Sequence, residues 1–101
     1  MTKYSKDILL GYVPNKMQYL PESLQVLYGF LAMITTFEYS EKGDYKYNVG
    51  CDIKSCEIAN ALGWCERYTY RALGVLWKLN CIEYQDEKFF CKYFNKNKIL
   101  Y

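Results

Sequence analysis

Apolar residues change their spacing several times along this chain, and each change predicts an element. Residues 1–20, MTKYSKDILLGYVPNKMQYL, hold a short apolar patch and a Pro14-Asn15 turn signal without a sustained period. That predicts an N-terminal arm lying on a domain that spans 21–101. From Pro21 the period becomes helical. Proline suits the first helical position, where its missing N–H is no loss, and Glu22 favours the positive end of the helix dipole. The helix is predicted to reach about Thr36, with Leu24, Leu27, Tyr28 and Leu31 on one side and Val26, Phe30, Met33 and Phe37 on the other. Two-sided burial marks a central helix, or one that also meets a second subunit.

EYSEKGD then reads as a polar loop around Gly43, and YKYNV alternates in the manner of a short strand near 45–49. Asp52 is placed to accept N–H bonds from the first turn of a helix over 53–62, whose inner face is Ile53, Ile58, Ala59 and Leu62. Gly63 stops it. The following helix is predicted from Cys65 or Glu66 to about Leu79, burying Thr69, Ala72, Leu73 and Leu76, with Asn80 as terminator. CIEYQ and FFCKYF, flanking DEK, predict a β-hairpin with Ile82, Tyr84, Phe89, Cys91 and Tyr93 inward. Glu83, Phe90, Lys92 and Phe94 then face outward.

Two helices joined by so short a turn cross steeply only if a side chain at the crossing is small and the turn tolerates positive φ. Ala59 and Gly63 meet those needs. The face of the second helix opposite its apolar side carries Arg67, Tyr70, Arg71, Gly74 and Lys78, spaced three or four apart. This is a cationic stripe turned away from the core.

EIANALG, WCERYTYRAL and GVLWKLNCIEY together resemble the winged helix-turn-helix family of phage and plasmid replication initiators. That family's usual form reads I-A-x-x-L-G, a capped helix, then L-x-x-x-G-L-I. The matching positions are Ile58, Ala59, Leu62, Gly63, Ala72, Leu73, Leu79 and Ile82. Upstream, YVPNKMQYLPESLQVLYGFLAM is similar to the start of the same domain, so the likeness covers residues 12–94. The resemblance implies an α+β, mainly α fold: a three-helix core with a C-terminal β-hairpin wing. It further implies a double-stranded DNA-binding protein acting at a specific site on a plasmid or other mobile element. Size and composition are also similar to the small winged-helix accessory proteins at the transfer origin of clostridial conjugative plasmids. That likeness implies other plasmid transfer or replication proteins as partners. Two positions depart from the family pattern. Cys65 stands where Ser or Thr normally caps the helix, a loss of about 1 kcal/mol, and Asn80 stands where Gly is usual.

A net charge of +2 is small, but it is unevenly spread. Residues 1–63 hold six Lys against seven acids, whereas 64–101 hold seven Lys and Arg against four. A hairpin and tail bearing Lys88, Lys92, Asn95, Lys96, Asn97 and Lys98 is expected to lie along a minor groove and to lead the contact. Arg67 and Arg71 would assist by gripping guanine or phosphate, and Tyr68 and Tyr70 by offering hydroxyls to phosphate and ring faces to sugar or thymine methyl groups. The alternatives are a solvated hairpin, and arginines paired with Glu66 or another acid. Lys3 and Lys6 add possible phosphate contacts from the arm.

Composition excludes more than it identifies. Twelve Tyr beside eleven Lys is the usage of AT-rich bacterial genomes and their mobile elements. The five cysteines, at 51, 56, 65, 81 and 91, form no C-x-x-C pair, and there is no His. They read as reduced small hydrophobes in a cytoplasmic protein, with no metal and no cofactor. The longest apolar run, LYGFLAMI, is far shorter than the roughly 20 residues of a membrane span. Without His, a paired Asp/Glu or a Cys beside a base, the chain reads as a non-enzyme. The competing reading is a protein-interaction module or transcriptional regulator with Phe30, Phe90, Phe94 and Tyr101 as its apolar surface. A homodimer fits either, since paired half-sites multiply affinity.

Overall fold

The computed structural model describes residues 5–39 and 46–92. Their order is α1 (Lys6–Leu10), one 3-10 turn (Asn15–Met17), α2 (Glu22–Ile34), β1 (Thr36–Tyr39), β2 (Lys46–Gly50), α3 (Ser55–Leu62), α4 (Glu66–Lys78), β3 (Ile82–Gln85) and β4 (Lys88–Cys91). The class is α+β and mainly helical, with the antiparallel hairpin β3–β4 following the last helix. None of the described helices is long and apolar enough to cross a membrane.

Helix α2 is the centre of the molecule. Leu27 and Leu31 are fully buried, and Val26, Tyr28 and Phe30 nearly so. Segment α1 covers one side of it, while α4 and β4 cover another. Leu24, Val26, Leu27, Tyr28, Phe30 and Leu31 of the two stripes are therefore buried within the chain, and Met33 is half-buried. Pro21 stands just before the helix, with ψ of 148°, rather than at its first position. The helix also ends earlier than its apolar spacing suggests. Thr35 turns to an extended backbone with ψ of 136°, and its hydroxyl donates to the Leu31 carbonyl at 2.6 Å. The β-branched run Ile34-Thr35-Thr36 disfavours further helix. Phe37 accordingly belongs to β1, which pairs antiparallel with β2 where a loop and a single strand were expected.

The N-terminal segment is built into this core. Leu9, Val13, Met17 and Leu20 join the same buried cluster as α2. Gly29 permits the approach: a Cβ there would stand 2.0 Å from the Leu9 carbonyl oxygen, so the backbone of α1 rests directly on α2. An ion pair at 2.5 Å between Lys6 and Glu22 ties α1 to the start of α2.

Helices α3 and α4 bury the faces that their periods indicate: Ile58, Ala59 and Leu62 on one, Thr69, Ala72, Leu73 and Leu76 on the other. Asp52 is not the cap of α3. Lys54 occupies that position and has no acceptor to offer, so Glu57 reaches back instead and accepts the Lys54 backbone N–H at 3.1 Å. Both helices end in the same way. Gly63 (φ 71°) follows α3, with Trp64 N–H bonded to Ala59 O and Gly63 N–H to Asn60 O. Asn80 (φ 64°) follows α4, with Cys81 N–H bonded to Leu76 O and Asn80 N–H to Trp77 O. These are paired Schellman closures, one using Gly and one using the residue next most tolerant of left-handed backbone.

In the hairpin Gln85 pairs with Lys88, leaving a two-residue loop whose members, Asp86 and Glu87, have φ of 51° and 63°. Positive φ at both positions is what a type I′ turn requires, and its twist matches that of the strands. Lys88 therefore belongs to β4 and not to the loop. Ile82 and Cys91 face the core as expected, but Tyr84 is 53% exposed, because the hairpin's far end projects beyond the helices. Its ring leans on Phe89, centroids 4.8 Å apart. Phe90, expected outside, is half-buried, its ring close enough to Gly50 that a Cβ there would lie 3.0 Å away. Two backbone bonds, Cys51 N–H to Phe89 O at 2.9 Å and Phe89 N–H to Cys51 O at 2.8 Å, fasten β4 to the chain entering α3.

Candidate nucleic-acid interface

Helix α4 carries the most distinctive exposed chemistry. At about 100° per residue, Arg67, Arg71, Gly74 and Lys78 fall within about 60° of one another and directly opposite the buried set. The three cations are exposed, and among the described residues none of them is in an ion pair. The alternative in which Arg67 or Arg71 is neutralised by Glu66 is not what the side chains do. Lys78 also lies in the last turn, where the helix dipole favours a positive charge.

Rings flank this row. Tyr70, 71% exposed, and Trp77, 59% exposed, share one edge of the helix. Tyr68, Val75 and Leu79 share the other and are also exposed. Tyr68 packs edge-on against Trp64 with centroids 5.2 Å apart, so only part of its ring is available. Trp77 is the functional candidate that sequence reasoning missed. The signal was present, because it lies seven residues after Tyr70 and outside the buried period.

Gly74 sits in the middle of the row. A Cβ at this position would meet nothing within 4 Å among the described residues, so none of their packing demands explains a glycine here. In a helix interior glycine costs about 0.5–1 kcal/mol relative to alanine.

The hairpin is a poorer cationic surface than its lysines suggested. Lys92 is held by Glu83 at 3.1 Å and by the Asn80 side-chain oxygen. Glu83, Asp86 and Glu87 outnumber Lys88 and Lys92 on residues 82–92, and the turn itself is acidic. Lys88 is half-buried on β4. Asn95, Lys96, Asn97 and Lys98 lie outside the described residues, as does Lys3. Lys6 is engaged with Glu22, whose carboxylate raises its pKa, first by hydrogen bonding and then by charge. Of the expected contacts, α4 thus brings Arg67, Tyr70 and Arg71 together, while Lys92 is withdrawn into a local network.

Cys51, Cys81 and Cys91 are buried. Burial pushes the Cys51 thiol from its ordinary 9.0 up to about 11 against an opposing hydrogen bond from Thr35, and it raises Cys81 and Cys91 as well. These thiols stay protonated and serve as packing. Among the described residues no three His, Cys, Asp or Glu side chains are grouped to hold a metal ion. Phe30 is buried and cannot supply the apolar docking surface expected of it, whereas Phe90 is half-buried; Phe94 and Tyr101 lie outside the described residues. Comparison with known protein families, with curated proteins and with solved structures finds no match to this chain. Any functional reading therefore rests on its own residues.

Proposed function

We propose that this chain is a non-enzymatic, double-stranded DNA-binding protein of the winged helix-turn-helix type. In this reading α3 and α4 are the helix-turn-helix and β3–β4 is the wing. The observation that carries it is the row Arg67, Arg71 and Lys78, presented opposite the core on α4 and unpaired among the described residues. Such a row matches the charge of a phosphate backbone and the width of a major groove, which admits one helix. The contact is led by α4, since the described hairpin spends Lys92 on Glu83 and Asn80 and ends in two acids. The target is a specific site on a plasmid or other mobile element, where the protein serves transfer or replication; the sequence resemblance supports this part.

Fluorescence anisotropy with random and AT-rich duplexes tests the reading. Arg67→Ala or Arg71→Ala is expected to weaken binding by about tenfold, about 1.4 kcal/mol. Lys92→Ala should change it less than threefold, about 0.6 kcal/mol. The opposite order would restore a hairpin-led mode, and no binding in dilute buffer would remove DNA altogether. Exposed Ile8, Tyr12 and Tyr19 on the N-terminal segment favour a protein partner as well. A second copy of this chain would pair two half-sites, which the stoichiometry on duplex reads directly.

A further inference from the structure

Residues three and four away on a helix are surface neighbours, so the side chains around Gly74 are Tyr70, Arg71, Trp77 and Lys78. None of them closes over it, since no atom of the described residues stands within 4 Å of where its Cβ would be. The result is an open notch floored by backbone, with two cations along one wall and two well-exposed rings along the other. Alanine would serve the helix better and would meet no obstacle among the described residues, so the missing side chain leaves room for a group from outside them.

We propose that this notch seats one sugar–phosphate unit of a DNA strand, the phosphate on Arg71 and Lys78 and the deoxyribose against Trp77 and Tyr70. The proposal rests on the DNA reading above and specifies where α4 makes its closest approach. An acidic protein segment would satisfy the cations but leaves both rings and the glycine without a role. A strand backbone uses all five, because each unit joins an anion to a compact ring that packs on an aromatic face.

The test uses the full chain and synthetic duplexes, with Gly74→Ala and Gly74→Leu beside the wild type. Gly74→Ala is expected to raise Tm by about 3–6 °C while weakening duplex binding about threefold; Gly74→Leu is expected to weaken it at least about tenfold. The salt dependence of binding should stay unchanged in both, because the cations remain. Duplex should also quench indole emission in the wild type, and the quench should vanish in Trp77→Phe. If both glycine variants bind as the wild type does, the notch is overturned while DNA binding stands. If the wild type ignores duplex at low salt, both proposals fall together.

Discussion

At the scale of single residues, the cysteines divide by access. Cys56 and Cys65 are exposed, whereas Cys51, Cys81 and Cys91 are buried. A thiol reagent should therefore modify two cysteines in the native protein and the other three only with unfolding, as followed by absorbance in rising urea. Burial also links Cys51 to pH. Its thiol keeps its proton to about pH 11 in the fold but releases it near 9.0 once unfolded. Between those values the native state binds more protons than the unfolded state, so stability falls as pH rises through this window. Urea midpoints measured from pH 8 to 11 should show the decline, and Cys51→Ala should make it shallower. Cys65 holds the N-cap position of α4 without a side-chain cap bond. Its extended backbone, with ψ of 138°, suits a capping hydroxyl. Cys65→Ser should stabilise the fold by about 0.5–1 kcal/mol, read as a higher urea midpoint at unchanged slope.

At the scale of elements, the helices were the legible part. All four inward positions of α4, three of the four proposed for α3 and the left-handed stops at Gly63 and Asn80 follow from spacing and local chemistry. The misread elements have a common cause. Strand β1 follows directly on an apolar helix, so its Phe37 continued a stripe that the backbone had already left. The hairpin loop carries Asp-Glu where a glycine signal was absent, which hid the true register of Lys88. Segment α1 is too short for a period to be seen, yet it contributes Leu9 to the core. Its docking depends on Gly29. A methyl group at that position collides with the Leu9 carbonyl, backbone against backbone, which neither helix relieves by a rotamer change. Gly29→Ala should destabilise the protein by about 3 kcal/mol or more, measured by urea unfolding, in spite of alanine's better helix propensity.

At the scale of the whole molecule, charge placement decides how the protein would meet a polyanion. The net charge of +2 is too low to bind by itself, so binding must come from local concentration on one face. Arg67, Arg71, Lys78 and Lys88 are the cations of residues 64–92 that are in no ion pair among the described residues. If about four phosphates are neutralised, log affinity should fall against log salt with a slope of about −3.6. A titration over a range of salt concentrations measures it, and a slope of about zero would leave the cationic row without a role in DNA binding. The candidate site was partly legible: Arg67, Tyr70, Arg71 and Lys78 follow from helical spacing, which places them opposite an apolar face. By itself the sequence determined α2, α3 and α4 and which way α4 turns its charges, because periodicity and capping act within a few residues. Tertiary structure alone decided that Lys92 is spent on Glu83, that Leu9 rests on Gly29, and that Cys51 grips Phe89 from 38 residues away. Those contacts join segments brought together only by burial of the shared core, and no local pattern encodes them.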